Sequence, residues 1–381
     1  MKRIPFNKPF IAGKELYYIS QSVLNGQISG DAHFSRACET LLADLCAGAR
    51  VMMTPSCTAA LEMACLLIDL QPGDEVIMPS FTFVSTANAV TLRGAVPVFS
   101  DICPQTFNLD PTRIERCITP KTKAIMPVHY AGQSCDMEAI GEIAETHKLY
   151  VIEDAAQGVG AYRHDRHLGT SGDMSCFSFH ETKNIMCGEG GALVINREDL
   201  TERAEIIREK GTNRSAFFRG EVDKYTWVDV GSSFLPSELQ MAFLYAQLEQ
   251  LSEITQRRRA IYQFYHYHLL SLERRGRIQR PVTLPENQIN YHLYPILCRT
   301  LAERTDLIKL LKARDIYPVF HYVPLHNSPA GKKLGKTPYP LPHTEEIADR
   351  LLRLPVYFEI SEPEMQRVVE GIEDFFNGQS A

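Results

Sequence analysis

Short apolar runs alternate with amphipathic helical patterns from about residue 50 to residue 200. Four of these runs are nearly continuous in apolar residues, as is typical of parallel strands covered on both faces: residues 76–78, 96–99, 124–128 and 150–152. Between them, segments such as residues 137–148 place apolar side chains at helical spacing behind Asp136, a candidate helix cap. This alternation predicts βαβ units and a mainly parallel α/β sheet.

Two further strands, residues 175–179 and 192–195, are predicted on either side of a loop that contains Lys183. A helix over residues 200–210 follows, and Gly211 ends it. An irregular polar stretch then continues through Gly231.

The last third of the chain predicts a long helix over residues 237–272 and then a smaller lobe. Its pattern indicates two strands around one helix, followed by two more helices: strand 291–298, helix 305–314 and strand 317–323. Because 381 residues exceed one compact core, we expect a large domain, a linking helix and a small α+β domain, over residues 1–240, 241–279 and 280–381.

Composition narrows the possible functions. The chain is 44% hydrophobic and 23% charged with a net charge of −6, and its basic residues form no block, so we expect no nucleic-acid partner. Ten scattered cysteines without a CxxC pair or zinc spacing favour reduced thiols in a cytoplasmic protein and no metal site. The start lacks the apolar core of a signal peptide, and the longest uncharged run, residues 76–92, contains Pro79 and several polar residues, so we expect no membrane span.

Asp154 ends the strand-like run 150–153. Ligands of open α/β sheets bind beyond the carboxyl ends of strands, so this carboxylate faces the expected site and can hold a protonated ring nitrogen of a cofactor. Gln157, three residues later, can reach a phenolic oxygen of the same ring. The alternative is that Asp154 only caps the next turn.

Lys183 lies between the apolar strand 175–179 and the glycine-rich run 188–191. Desolvation or a neighbouring cation lowers the pKa of a lysine and makes its amine a nucleophile for an aldehyde. The alternative is a solvated surface charge. The glycine run lacks the spacing of a phosphate-binding loop, so a tight turn is the simpler interpretation.

Residues 54–62 form a strand-to-helix junction that is rich in small polar residues. Free N–H groups at the start of the helix, which we place from Ala59 to about Asp69, can bind a phosphate. Ordinary capping by Ser56 or Thr58 is the alternative.

Residues 79–84 place Phe81 and Phe83 at the end of another strand, where one ring can stack on a cofactor and core packing is the alternative. The chain thus presents an anion site, an aromatic residue, an acidic strand end and a lysine in that order, each after a strand. This is the order that a pyridoxal phosphate (PLP) pocket requires.

Six longer segments of the chain are specific enough to compare with known families: residues 54–59 (TPSCTA), 85–88 (STAN), 127–132 (PVHYAG), 178–184 (SFHETKN), 208–215 (REKGTNRS) and 223–227 (DKYTW). With these segments the sequence resembles the DegT/DnrJ/EryC1/StrS family of sugar aminotransferases over essentially the whole chain. The resemblance implies the α/β architecture of PLP-dependent transferases of fold type I, which is similar to aspartate aminotransferase. It also implies a homodimer with shared active sites that uses L-glutamate and a dTDP-linked 4-keto sugar. Amination at C3, a UDP- or GDP-linked sugar, a PLP-dependent sugar dehydratase and a non-catalytic binding protein are the alternatives.

The resemblance also implies roles for single residues. Lys183 would form the Schiff base with PLP and then move the proton at the substrate carbon. Asp154 would pair with the ring nitrogen, Gln157 would contact the phenolic oxygen, and Phe83 would stack on the ring. The phosphate would be held by Cys57, Thr58 and Ser178.

Two features of the family affect which of these roles can be assigned to this chain. Many relatives hold the phosphate with an asparagine from the second subunit, but this chain has Ser232 and Ser233 in the matching loop. Either one of these serines makes the phosphate contact instead, or the contact is lost. Some members have histidine at the position of Lys183 and perform dehydration, so the lysine favours transamination.

Substrate contacts are expected from two further groups and from His180, which the resemblance places near the sugar. Three charged residues of the polar stretch can clamp a diphosphate: Arg214, Arg219 and Lys224. The alternative is that they are solvated loop charges. Three residues of the small lobe can approach the pocket: His321, Tyr322 and His326. The alternative is that they only pack within the protein.

Overall fold

The computed structural model describes residues 2–378. In chain order the strands are β1 (Arg50–Thr54), β2 (Glu75–Pro79), β3 (Val96–Ser100), β4 (Thr122–Ile125), β5 (Tyr150–Asp154), β6 (Tyr162–Arg163), β7 (Arg166–His167), β8 (Met174–Ser178), β9 (Gly191–Ile195), β10 (Asn287–Gln288), β11 (Pro295–Leu297), β12 (Val319–Phe320) and β13 (Leu351–Arg353). The helices are α1 (Glu15–Leu24), α2 (His33–Leu45), α3 (Cys57–Leu67), α4 (Val84–Thr91), α5 (Pro111–Ile114), α6 (Met137–His147), α7 (Thr201–Arg208), α8 (Arg214–Phe218), α9 (Glu238–Leu248), α10 (Leu251–His268), α11 (Leu270–Arg274), α12 (Leu301–Ala313), α13 (Pro329–Leu334), α14 (Pro342–Arg350) and α15 (Glu362–Gly378). Across residues 2–378, no helix combines the length and the apolar character that a bilayer crossing requires.

Seven strands form the large sheet in the order β1-β9-β8-β5-β4-β2-β3. The strands from β8 through β3 pair in parallel, whereas β9 runs antiparallel to β1 on one side and to β8 on the other. The mainly parallel sheet predicted from the alternating pattern is therefore confirmed.

The strands are apolar because helices cover both faces of this sheet. β2, β8 and β9 are buried at every position. On one face α3 packs against β8 and β9, where small residues such as Ala60 and Ala64 allow a close approach. α2 and α9 cover part of the other face with Phe34 and Leu244. Asp136 caps α6 as predicted, because its side chain accepts from the Ala139 N–H.

The single long helix predicted over residues 237–272 is wrong, because the structure divides this segment into α9, α10 and α11. α9 begins at a capping box formed by Ser237 and Gln240, and it packs against α1 and α2 of the large lobe. α10 instead contributes Ile261 and Tyr265 to the core of the small lobe. Ile254, near the start of α10, still packs in the large-lobe core with α2 and α9, so α10 itself connects the two lobes. The helical segment is broken just before α10, at Gln250, whose φ of −105° and ψ of 11° are not helical.

The small lobe contains an antiparallel sheet in the order β11-β13-β12, which packs with α10, α12 and α15. The predicted strands 291–298 and 317–323 are shorter in the structure, as β11 and β12, and the predicted helix 305–314 begins earlier, at Leu301. The central strand β13 was not predicted. A further small sheet, in the order β10-β6-β7, joins a hairpin of the large lobe to the start of the small one.

The amino-terminal segment bridges the two lobes. Ile4 is fully buried in the core of the small lobe. The Phe6 ring lies 4.6 Å from the guanidinium carbon of Arg353. Asn7 Nδ2 donates to the carbonyl oxygen of Glu181, in the loop after β8, at 3.2 Å. Residues 4–7 therefore connect the small lobe with the loop that carries the candidate lysine.

Candidate active site

Asp154 lies at the carboxyl end of β5 and is only 4% exposed. The Thr86 hydroxyl donates to Asp154 Oδ2 at 2.7 Å, and the Ala156 N–H donates to Oδ1 at 3.1 Å. Each carboxylate oxygen is therefore held by one donor, which fixes the direction of the group. Thr86 was not among the predicted site residues, although it stands three positions after Phe83 at the start of α4.

Lys183 follows β8 and lines a small cavity together with Gln157 and Ser178. Burial lowers the pKa of the Lys183 amine, against the opposing influence of Cys57 and Asp154, and the Arg353 guanidinium lowers it further. The amine thus lies within electrostatic reach of Asp154 and is neutral more often than a solvated lysine amine. This environment favours the nucleophilic role over a surface charge.

Gln157 links the large lobe to the small lobe. Its Oε1 accepts from the Ala131 N–H at 2.7 Å, and its Nε2 donates to the Tyr322 hydroxyl at 3.2 Å. Its carbonyl oxygen accepts from Asn290 Nδ2 at 2.8 Å. The side chain is therefore fixed in the wall between Asp154 and the small lobe.

The start of α3 forms the predicted cradle for an anion. Ser56 caps the helix by accepting from the Ala59 N–H, which leaves the earlier N–H groups of Cys57 and Thr58 without helical partners. A Cβ atom on Gly191 would lie 2.4 Å from the Cys57 nitrogen, so only glycine allows β9 to pass this close to the cradle. The helix begins at Cys57, two residues earlier than predicted.

The turn after β8 carries two predicted residues. The Ser178 hydroxyl accepts from the His180 N–H at 3.4 Å. The partly exposed His180 ring pairs through Nδ1 with the Thr182 hydroxyl at 2.9 Å, and its Nε2 lies 3.7 Å from Glu189. His180 is thus on the open side of the Lys183 loop.

The two aromatic residues after β2 have different environments. Phe81 is 1% exposed and packs in a cluster with Phe107 and Tyr130, so core packing accounts for it. Phe83 is 58% exposed, with its ring centroid 6.5 Å from that of Tyr322. Phe83 therefore has a free face that can cover a planar ligand.

The predicted small-lobe residues separate into two groups. His321 Nδ1 lies 3.1 Å from the Tyr130 hydroxyl, and burial strongly lowers the pKa of His321, so this ring is neutral at pH 7. Tyr322 contacts Gln157 as described. His326 instead hydrogen-bonds Ser80 at 2.7 Å and Glu345 at 3.1 Å, so it serves the packing between the lobes.

The predicted diphosphate clamp is not assembled around Lys183 within one chain. Arg214, Arg219 and Ser233 line another cavity of about 900 Å³, whose lining includes none of the residues that line the Lys183 cavity. Arg219 is engaged there by Glu205 and Glu221. Lys224, the third residue of the predicted clamp, is exposed on the adjacent polar stretch.

A buried pair behind Asp154 was also missed. His129 Nε2 donates to Glu153 Oε2 at 2.7 Å, because Nδ1 of this ring already accepts from the Cys135 N–H. Glu153 also accepts from the N–H groups of residues 169, 171 and 172. Burial alone would raise the pKa of Glu153, but these hydrogen bonds outweigh it and lower the pKa. The His129 N–H donates to the Asp154 carbonyl at 3.1 Å, so the pair fixes the strand end that carries Asp154.

These groups fit pyridoxal phosphate. The start of α3 supplies unbonded N–H groups for a phosphate, Asp154 supplies a fixed carboxylate, and Lys183 supplies an amine of lowered pKa, while Phe83 leaves one ring face free. Among residues 2–378, no group of three His, Cys, Asp or Glu side chains converges as metal ligands. The fold and the site define a PLP-dependent transferase of fold type I.

Comparison with known proteins identifies the family. The profile of the DegT/DnrJ/EryC1/StrS aminotransferase family matches residues 10–373, and the chain belongs to this family. The spore coat polysaccharide biosynthesis protein SpsC of Bacillus subtilis is 32% identical, covering 98% of this chain and 97% of its own length. The GDP-perosamine synthase of Caulobacter vibrioides is 34% identical, covering 98% of both chains.

A solved structure shows the same fold with a related cofactor. NtdA of Bacillus subtilis, determined with bound cofactor PMP, is 30% identical and superposes with a TM-score of 0.88, covering 99% of this chain and 86% of that one. The protein is accordingly a PLP-dependent sugar aminotransferase.

Proposed function

We propose that this protein transfers the amino group of L-glutamate to C4 of dTDP-4-keto-6-deoxy-D-glucose and forms dTDP-4-amino-4,6-dideoxy-D-galactose for a cell-surface glycan. The observation that carries the transfer chemistry is the Lys183 amine of lowered pKa within reach of the fixed Asp154 carboxylate. The choice of sugar is supported by the sequence segments quoted above, which resemble those of the transaminase that makes this product for enterobacterial common antigen.

Each side chain has a definite task in this proposal. PLP, when bound, supplies an electron sink for the carbanion at the substrate carbon. Asp154 keeps the ring nitrogen protonated, Gln157 orients the phenolic oxygen, and the first turn of α3 binds the phosphate. Lys183 holds the coenzyme through Nζ, and its amine then moves the proton at the substrate carbon.

We further propose a cytoplasmic homodimer in which a second copy completes the site. The polar stretch after α7, residues 209–233, exposes large apolar side chains, Trp227 at 78% and Val228 at 50%, which indicates an interaction surface. Ser232 or Ser233 of that stretch would then contact the phosphate in the other copy, and the stretch would bring Arg214, Arg219 and Lys224 towards the sugar diphosphate.

A GDP-linked 4-keto sugar is the second candidate substrate. It is favoured by the 34% identity to the GDP-perosamine synthase of Caulobacter vibrioides. The two candidates share the reaction and differ in the nucleotide that the pocket accepts.

The proposal is tested with the PLP-loaded protein, L-glutamate and three sugars: the dTDP-linked 4-keto and 3-keto sugars and the GDP-linked 4-keto sugar. NMR of the products should show the 4-amino dTDP sugar as the main product. Lys183→Ala should abolish turnover, whereas Lys309→Ala, which changes an exposed lysine of α12, should not. Turnover by Lys183→Ala would overturn the mechanism, and preference for another sugar would overturn the substrate.

A further inference from the structure

Asn184, the residue after Lys183, is held by the segment that leads into the small lobe. Its Nδ2 donates to the Asn290 carbonyl at 2.8 Å. Because a carbonyl oxygen only accepts, this bond fixes which end of the Asn184 amide is the nitrogen. The other end, Oδ1, lies 2.9 Å from His292 Nδ1 and can only accept. His292 Nδ1 therefore carries the hydrogen and donates it to Asn184.

The other ring nitrogen of His292 is an acceptor without a partner in the protein. In a neutral imidazole, a hydrogen on Nδ1 leaves a lone pair on Nε2. No hydrogen bond to Nε2 occurs among residues 2–378, where the ring bonds Asn184 and the backbone bonds Asn290. His292 is only 6% exposed, so this lone pair depends on a donor from the protein or from a ligand.

The His292 ring and the Lys183 side chain line the same cavity, together with Gln157, Ser178 and Asn290. The amide nitrogens of the lining already donate elsewhere: Gln157 to Tyr322, Asn184 to the carbonyl of residue 290, and Asn290 to the carbonyls of residues 157 and 159. In contrast, the Lys183 amine makes no hydrogen bond within residues 2–378. The amine and the Ser178 hydroxyl are therefore the candidate donors for His292 Nε2.

Both lobes fix the position of His292. Arg258 of α10 donates to the carbonyl oxygens of residues 291 and 292. The His292 N–H donates to Asn290 Oδ1 at 3.2 Å, and Asn290 in turn bonds the loop after β5. The ring is thus held relative to the lysine loop on one side and to the strand end of Asp154 on the other.

The His292 ring is neutral at pH 7. Burial strongly lowers its pKa, and the charges of Lys183, Arg258 and Arg353 lower it further. A neutral ring adds no positive charge beside the ammonium form of Lys183, and its lone pair can accept an N–H from the amine and from the ammonium alike. Such an acceptor suits a lysine that changes its protonation state during the reaction.

We propose that His292 is a positioning residue for Lys183, whose amine donates an N–H to Nε2 whenever it is not joined to the cofactor. This inference rests on the proposed role of Lys183. The amine is carried on a flexible four-carbon stem, so after release from the cofactor it must be held in place to reach the substrate carbon. One N–H directed at Nε2 fixes the amine and leaves the rest of the nitrogen for the proton that moves. Asn184 keeps the hydrogen on Nδ1, so that Nε2 stays an acceptor.

The direct test is NMR of protein with ¹⁵N-labelled histidine rings, loaded with the aminated cofactor PMP so that the Lys183 amine is free. The His292 resonances are assigned by their absence from His292→Gln. We expect the hydrogen on Nδ1 in the wild type. Lys183→Met keeps the length of the side chain without the N–H, and it should move the Nε2 resonance much more than the Nδ1 resonance. An Nε2 resonance that Lys183→Met leaves in place would overturn the proposal, as would a hydrogen on Nε2.

Two substitutions separate the functions of the ring. His292→Asn keeps a donor near Nδ1 and loses the acceptor, whereas His292→Gln can place an amide oxygen near Nε2. The single-turnover rate of the PMP-loaded enzyme with saturating keto sugar should fall about 3- to 10-fold in His292→Asn, with the half-saturating sugar concentration within about twofold. His292→Gln should recover most of this rate. Equal rates in His292→Asn and the wild type, or equal losses in the two variants, would count against the proposal.

His167→Asn is the matched control for a loss of packing. His167 is also a buried imidazole, and its Nε2 accepts from the Gly160 N–H at 2.8 Å, but it does not line the Lys183 cavity. This variant should melt at a lower temperature and keep the single-turnover rate; a loss equal to that of His292→Asn would mean that packing explains both. If the His292 variants do not fold, the comparison of the wild type with Lys183→Met still decides, because His292 is the histidine that lines this cavity.

Failure of the proposed function would look different. If the wild type did not aminate the dTDP sugar, the NMR comparison would still report on the bond between His292 and Lys183, because it needs no sugar. Normal turnover together with an Nε2 resonance that does not respond to Lys183→Met would overturn the role of His292 alone.

Discussion

The hydroxyl of Thr86 should control how firmly Asp154 is held, and Thr86→Val tests this. Valine keeps the β-branched shape and removes the 2.7 Å hydrogen bond to Asp154 Oδ2. Hydrogen bonds to charged groups contribute about 1.5–3 kcal/mol, which corresponds to about 10- to 150-fold in an equilibrium or rate constant. The carboxylate would retain the donor from Ala156 alone, so it would be free to turn away from the ring nitrogen.

We therefore expect Thr86→Val to weaken PLP binding or lower kcat by a combined factor of about 10 to 150. PLP affinity is measured by titrating the apoprotein and following visible absorbance, and kcat by steady-state turnover. Thr91→Val is the matched control, because this threonine lies on the same helix and its hydroxyl bonds only the Asn88 carbonyl. A Thr86→Val enzyme within about twofold of wild type in both quantities would refute the reasoning.

Three further changes test other parts of the site. Glu153→Gln should lower the free energy of unfolding by about 2–6 kcal/mol in urea denaturation, because the amide nitrogen would face two of the N–H groups from which the buried carboxylate accepts, and an unchanged midpoint would contradict this. Gly191→Ala should weaken PLP binding at least tenfold, measured by absorbance titration, since the added Cβ would lie 2.4 Å from the Cys57 nitrogen; Gly141→Ala, at an open helical position, is its control. Because folding lowers the pKa of Lys183, the unfolded apoprotein binds more protons between the folded pKa and the ordinary value of 10.5, so apoprotein stability should gain from Lys183 as pH rises through that window. Lys183→Met apoprotein should lack that gain, so the wild-type stability minus the Lys183→Met stability should increase with pH through the same window. Identical profiles of stability against pH would show that folding leaves the pKa of the amine unchanged.

The large lobe was predictable because its signals are local and repeated. Buried parallel strands give continuous apolar runs, and ligand-facing residues lie at or just after the ends of such runs, as Asp154 ends β5. The break between α9 and α10 gave no such signal, since neither proline nor glycine marks Gln250 and the helical pattern continues on both sides. β13 was missed because three residues after a helix carry too little periodicity to identify a strand.

The missed site residues depend on contacts between distant parts of the chain. Thr86 becomes a site residue only when α4 is placed over β5, and Arg353 comes within electrostatic reach of Lys183 only when the small lobe packs against the large one. In the sequence, Arg353 is one arginine in a leucine-rich run. Arg219 shows the opposite case, because it was predicted as a ligand for a diphosphate and pairs with Glu205 and Glu221 in the single chain.

The bridge formed by residues 4–7 has a practical consequence for handling this enzyme. Proteolytic trimming just beyond Phe6 would remove Ile4 from the core of the small lobe and the ring that lies against Arg353. Trimmed molecules would therefore melt at a lower temperature than intact ones, because the fully buried Ile4 and its backbone hydrogen bonds to Asp315 and Tyr317 would be lost. Intact mass should therefore be verified before the kinetics of any two preparations are compared.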